Sequence, residues 1–183
     1  MELFYTSKRE AWRSWLAEHF ETASEIWFVF PMKGSGEQGL LYNDAVEEAL
    51  CFGWIDSTIR HTDPTHRAQR FTPRKAGSPY SRPNIERLIR LERMGMIHPK
   101  IREQVLPVIR APYIFPGDIL DAVKADPLAW AQYEKLPEPY RRIRIAYIDA
   151  ARKRPAEFQK RLTSFISKTR RGQRIKGFGG IDR

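Results

Sequence analysis

The sequence predicts an α+β fold in which a small antiparallel sheet flanked by helices is followed by an all-helical C-terminal module. Three observations carry this. Ile26-Trp27-Phe28-Val29-Phe30 is a wholly apolar, β-branched and aromatic run that Pro31 ends, the composition of a buried strand. A strand from Trp54 to His61 and a partner from about Arg67 to Thr72 flank an Asp63-Pro64 turn, as the arms of a hairpin do. Beyond a proline-broken region, Pro107–Asp118, only helical periodicity remains.

Taken in order, Trp12, Trp15, Leu16 and Phe20 stand at i, i+3, i+4 and i+8, one apolar face of a first helix. Thr6 or Ser7 is its expected cap, with Glu10 three residues after Ser7. The strand at Ile26–Phe30 runs into a Lys33-Gly34-Ser35-Gly36 loop. Asn43 or Asp44 is expected to cap a second helix through Ala45, Val46, Ala49, Leu50 and Phe52, with Gly53 placed as its C′ residue. In the next strand Ile55 and Ile59 are expected on one face and Asp56, Thr58 and Arg60 on the other. Lys75–Ser81 reads as a loop. Ser81 or Asn84 starts a third helix carrying Ile85, Leu88 and Ile89, which Gly95 closes, and a short helix follows near Lys100–Val108. Past the boundary, Ile119–Lys124, Pro127–Lys135, a longer segment after Pro137 and another after Pro155 read as helices with proline near the first turn. Phe158, Leu162, Phe165 and Ile166 form an apolar stripe on the last one. The expected organisation is an α+β domain over 1–110, a helical module over 118–176 and a frayed tail over 177–183.

Hydrophobic residues make up 42% of the chain, with five Trp, ten Phe and seven Tyr, enough for a packed core. No run approaches the roughly 18 apolar residues of a membrane span. Charged Lys8, Arg9 and Glu10 follow the first residues with no apolar signal core, so a cytoplasmic location is expected. One cysteine excludes an intramolecular disulfide and a multi-cysteine zinc site. The net charge of +10, from 32 Lys+Arg against 22 Asp+Glu, favours polyanionic partners.

Cys51 with His61 and His66 invites a nucleophile reading, but the last turn of a helix and apolar neighbours Leu50 and Phe52 both disfavour a thiolate, so a buried structural cysteine is expected. His61 and His66 with Asp56 or Asp63 lack the ligand count of a metal centre, and neither metal nor cofactor is expected. The Lys33–Gly36 loop lacks the order of a phosphate loop. The best-supported site is an anion pocket: Arg70, Arg74 and Lys75 enter a loop bearing Ser78, Tyr80, Ser81 and Asn84, and that loop opens a helix. The competing structural role for Arg70 and Arg74 is pairing with Asp56 or Glu47. Asp56, beside Trp54, is expected in a salt bridge to the partner strand rather than as a general base. Positive charge is dense after Pro137. Lys160, Arg161, Lys168, Arg170, Arg171 and Arg174 are candidate polyanion contacts there.

Tyr42-x-x-Ala45-Val46-x-x-Ala49-Leu50-Cys51-Phe52-Gly53-Trp54-Ile55-Asp56-Ser57, then Arg70-Phe71-Thr72-Pro73-Arg74, Ser78-Pro79-Tyr80-Ser81, Asn84, Arg87 and Gly95-Met96, form a long and unusual string. It resembles the signature of the YdeI/OmpD-associated, or bacteriocin-protection, family. Leu136-Pro137 and Arg141-Arg142-Ile143 are similar to that family's small helical module, whereas Pro155-Ala156-Glu157-Phe158 stands where the family usually carries a Glu-Thr-Arg step. The resemblance implies a mixed α+β N-terminal domain, a helical C-terminal module and a stress or bacteriocin-tolerance role, and it brings no catalytic residues.

The expected function is a non-enzymatic cytoplasmic binding protein for an anionic partner, nucleic acid among the candidates. The alternatives are an enzyme acting on a phosphorylated or carboxylated small molecule at Arg70, Arg74 and Asp56, and a protein-interaction adaptor with an exposed apolar patch.

Overall fold

The structure, a computed structural model, describes residues 2–177. The chain divides into two compact units. One comprises the residues up to 80 with 87–109; the other comprises 81–86 and the chain from 110 onward.

The first unit is built on a four-stranded sheet. Strand β1 (Leu3–Phe4) is followed by helix α1 (Arg9–His19), β2 (Ile26–Pro31), α2 (Tyr42–Cys51) and a hairpin of β3 (Trp54–Asp63) and β4 (His66–Pro73). The strand order is β1-β2-β4-β3. The sheet is mixed rather than purely antiparallel: β1 runs parallel to β2, while β2–β4 and β3–β4 are antiparallel. A parallel neighbour requires a crossover, and α1 supplies it. Two residues are too few for β1 to show a period of its own.

Helix α1 buries Trp12 and Leu16 completely. Trp12 stacks on Trp15, meets Phe28 and Phe71 edge-on, and donates its indole N–H to the Ala45 carbonyl at 3.0 Å. The helix start differs from the expected cap. Lys8 precedes it without a side-chain cap, and Thr6 Oγ1 accepts from the Lys8 amide instead. Asn43 and Asp44 likewise do not cap α2, which begins at Tyr42. Asn43 Oδ1 accepts from Arg87, and Asp44 pairs with Arg9, so tertiary partners hold both side chains.

α2 is buried on almost every side, including two consecutive acids. Glu47 and Glu48 are 2% and 1% exposed. Carboxylates so removed from water require cationic partners. Arg9 reaches Glu48 and Glu47, Arg13 reaches Glu48 at 2.7 Å, and Arg90 reaches Glu47. Arg13 also donates to the Met96 carbonyl. The sequence reading missed this network; its trace there is a pair of acids inside Ala45-Val46-Glu47-Glu48-Ala49-Leu50, an otherwise apolar helix.

Gly53 ends α2 as expected, at φ +72°, and its amide bonds the Leu50 carbonyl. A Cβ there would lie 2.8 Å from Ile101 Cδ1, so the residue serves both the left-handed turn and the approach of Ile101.

In the hairpin, Thr65 bonds Asp63 through its amide and hydroxyl, closing the turn. The expected faces of β3 are corrected by a bulge. Asp56 pairs with Phe71 and Ile59 with Gln69, so two residues of β3 oppose one of β4. Asp56 and Ile59 therefore share one face and Ile55 and Arg60 the other, where Arg60 lies over the Trp27 ring at 5.1 Å; Ile59 is exposed, while Ile55 packs partly buried against the core.

Helix α3 (Arg82–Arg93) begins in the second unit and continues in the first. Helix α4 (Pro99–Arg110) runs through Pro107, although the sequence predicts a break there. Burial of Ile101 and Val105 against the core carries the helix past it. The second unit adds α5 (Gly117–Lys124), α6 (Pro127–Tyr133), α7 (Glu138–Asp149) and α8 (Pro155–Arg170). These pack around Ile119, Val123, Tyr133, Ile145, Ile148, Leu162 and Phe165. Asp126 caps α6 by accepting from the Leu128 and Ala129 amides. Of the expected frayed tail, Gly177 holds its carbonyl on Arg144; the remainder lies outside the described residues. Among the described residues no helix is long and apolar enough to cross a membrane.

Gly53→Ala is expected to lower stability by about 2 kcal/mol, from backbone strain at positive φ and displacement of Ile101, measured by denaturant unfolding. Arg9→Met, which leaves buried carboxylates short of a partner, is expected to lower it by about 2 kcal/mol by the same measurement.

Candidate functional site

The loop after β4 is a built structure. Arg74 donates its amide to the Gly53 carbonyl at 2.9 Å, anchoring the loop to the end of α2. Its guanidinium Nη2 donates to the Ser78 and Pro79 carbonyls at 3.1 and 3.0 Å, and its plane lies 3.7 Å from the Tyr80 ring centroid. Ser78 Oγ donates back to the Lys75 carbonyl at 2.7 Å. These bonds fix the 74–80 segment without help from regular secondary structure.

Two depressions adjoin this loop, both in the first unit. The larger, about 720 Å³, has an apolar lining of Phe20, Phe52, Trp54, Ile101 and Val108, with Arg74, Lys75 and Lys100 as its cations and Glu21 as its acid. Glu21 is spoken for by Lys100, at 2.7 and 2.8 Å. The Trp54 indole donates to the Phe20 carbonyl at 3.1 Å, which ties two of these walls together. The second depression, about 460 Å³, is bordered by Ser24, Ile55, Arg70, Thr72, Lys75 and Ser78. Lys75 and Ser78 therefore belong to both.

Of the residues the sequence singled out, Arg70, Arg74, Lys75, Ser78 and Tyr80 gather around this loop. Ser81 and Asn84 do not line either depression; Ser81 accepts from the Ile85 amide at the start of α3, and Asn84 is buried. Arg70 pairs with Glu25, not with Asp56 or Glu47, and holds that carboxylate below its usual range. Arg74 pairs with backbone carbonyls rather than an acid.

Asp56 accepts the Tyr42 hydroxyl at 2.6 Å and Gln69 Nε2 at 3.3 Å instead of an arginine. Burial, and then Asp56, raise the Tyr42 phenol above its ordinary value. Because Arg70 alternates with Phe71 on β4, Asp56 and Arg70 project from opposite faces of the sheet.

Cys51 is fully buried, and burial together with Glu48 pushes its thiol up to about 12. His66 pairs with Asp63 and Glu37 at the hairpin turn. Among the described residues no group of three or more His, Cys, Asp or Glu is arranged to hold a metal ion.

In the second unit the candidate polyanion contacts separate into two kinds. Arg161 bonds Glu157 and the Tyr147 carbonyl, Arg170 pairs with Asp126 at 3.4 Å, and Arg174 lies over Tyr140. Lys160, Lys168 and Arg171 make no ion pair among the described residues. The sequence reading missed Phe20, Glu21, Lys100 and Ile101 as groove residues. They arrive from the turn after α1 and from α4, and no local pattern links those segments to the loop.

The fold and these depressions define a two-unit α+β protein with a basic, partly apolar groove in its first unit. The chain belongs to the family described as Domain of unknown function (DUF8412), whose model matches residues 4–104, more than half of its length. Residues 112–172 match the model of the family described as Bacteriocin-protection, YdeI or OmpD-Associated. The bacteriocin-protection match thus falls on the helical segment, while the string from Tyr42 to Met96 lies within the other match. Searches of curated proteins and of solved structures found no match.

The Cys51 thiol is expected to resist iodoacetamide in the native protein at about pH 8 and to react stoichiometrically once unfolded in guanidinium, as followed by mass spectrometry. Rapid native alkylation would contradict its placement.

Proposed function

We propose that the chain is a non-enzymatic binding protein for an anionic partner, engaged around the 73–80 loop. The observation that carries this reading is the convergence of Arg70, Arg74, Lys75, Ser78 and Tyr80 on two adjoining depressions. Fixed backbone and an immobilised Arg74 reduce the ordering cost of binding. Lys75 makes no ion pair among the described residues, and it borders both depressions, which makes it the cation most available to a ligand. Partly exposed Phe20 and Tyr80 beside these cations suit a partner that is both charged and planar, as a nucleotide chain is. Exposed Arg171 of the second unit offers further charge to a polyanion.

The enzymatic alternative is weakened by the geometry. Asp56 points away from Arg70, and its carboxylate is engaged by Tyr42 and Gln69. We place this binding role in bacteriocin tolerance, the subject of the family description matched at 112–172; a stress role in the cytoplasm is part of the same proposal.

The test is an amide NMR titration with a short single-stranded oligonucleotide and, separately, with pyrophosphate, at low and moderate salt. Saturable shifts at Lys75–Tyr80 are expected with the oligonucleotide. Lys75→Ala with Lys100→Ala should weaken binding several-fold and lower the salt dependence by roughly one unit of log–log slope for each lysine that had met a phosphate. Shifts in this loop with pyrophosphate alone would favour a small-molecule site, and no shift with either probe would overturn the proposal. Arg74 is unsuited to this test because its removal also dismantles the loop.

A further inference from the structure

Arg144 presents a different problem. It lies on α7, only 4% exposed, with its guanidinium 5.2 Å from the Tyr140 ring centroid. Its Nη2 donates to the Ile175 and Gly177 carbonyls at 2.6 Å each. Among the described residues no carboxylate pairs with it, and its buried Nε has no hydrogen-bond partner. A guanidinium stays charged at any physiological pH. Burying one with only backbone carbonyls and a ring face for company leaves a donor and a net charge uncompensated.

The same side chain lines a cavity of about 270 Å³ in the second unit. Lys160 and Arg161 line it as well, and its acid, Glu157, is bonded by Arg161 at 2.7 Å. Arg161 is further immobilised 3.7 Å from the Tyr147 ring centroid. Ile148, Phe165 and Ile175 supply an apolar wall. Excess positive charge and an apolar wall thus occur in one recess, and the Arg144 side chain, whose buried Nε has no partner, forms part of its lining.

We infer that this recess is a second site, for a small organic anion: a carboxylate directed at Arg144 and Lys160, on a short apolar body resting against Ile148, Phe165 and Ile175. A guanidinium and an ammonium lining one recess suit a carboxylate as charge-assisted partner. The volume lies just below the usual range for small-molecule pockets, which excludes a nucleic-acid strand. The site is independent of the groove beside the 73–80 loop, and neither reading depends on the other.

The orphan group is its own reporter, because an arginine Nε–H gives a resolvable signal in ¹H–¹⁵N spectra. The labelled full chain is titrated with benzoate, acetate and inorganic phosphate. Benzoate is expected to move the Arg144 Nε–H resonance and the Ile148 and Ser164 amides along one saturable curve, with acetate and phosphate binding more weakly. Lys160→Ala, an exposed position that folding tolerates, should weaken benzoate several-fold. Arg144→Lys should weaken it by roughly tenfold or more through loss of a charge-assisted pair. An Arg144 Nε–H that stays unmoved while benzoate reaches saturating excess would overturn the site. Equal response to inorganic phosphate would overturn its assignment to an organic anion. Should Arg144→Lys disturb folding, the wild-type Nε–H signal and Lys160→Ala decide the question.

Discussion

The first unit depends on one electrostatic constraint: α2 carries Glu47 and Glu48 into the interior, and buried carboxylates do not stay charged without partners. Arg9 and Arg13 of α1 and Arg90 of α3 answer them. Each pairing holds a helix in a particular rotation and register against α2, which undirected apolar packing alone would specify less tightly. The aromatic cluster of Trp12, Phe28 and Phe71 supplies burial, and the ion pairs supply direction. Arg13 extends the constraint to the turn after α3 through the Met96 carbonyl.

The groove inherits this order. Once α2 is placed, Gly53 turns the chain into β3, and its carbonyl receives the Arg74 amide at the far end of the hairpin. Ile101 then closes on Gly53 so nearly that a Cβ there would force its Cδ1 to shift. Arg74 is in this sense more a framework residue than a ligand-binding one, holding Ser78, Pro79 and Tyr80. The charge left for a partner resides mainly on Lys75.

Arginine fills structural roles throughout the molecule. In the second unit Glu86 is 4% exposed and receives both Arg82 and Arg142, and Arg152 joins Asp118 to Asp149. A net charge of +10 therefore overstates how much of the basic surface is available, because many guanidiniums are internal donors. Arg144 is buried as well, and its described partners are carbonyls and a ring rather than acids.

Much of the fold was legible in the residues themselves. The Trp12–Leu16 face, the buried run at Ile26–Phe30, the Asp63 turn, the Gly53 helix end and the interior position of Cys51 all follow from spacing and local chemistry. The two-residue β1 was too short to show a period, and the bulge in β3 exchanged the expected faces of Ile59 and Arg60 without any local mark. The loop at Arg70–Tyr80 was recognisable as a concentration of donors, yet its acid partners were misassigned, and the walls brought by Phe20, Lys100 and Ile101 were not foreseen. By itself the sequence determined which segments become helices and strands and which face of most of them is apolar, because those properties repeat over a few neighbouring residues. Only the tertiary structure decided which arginine meets which acid, which distant segments wall the groove and which carbonyls and ring receive the buried Arg144. Those outcomes depend on groups far apart in the chain, and the energy of burying a charge is set by the partners that reach it in space.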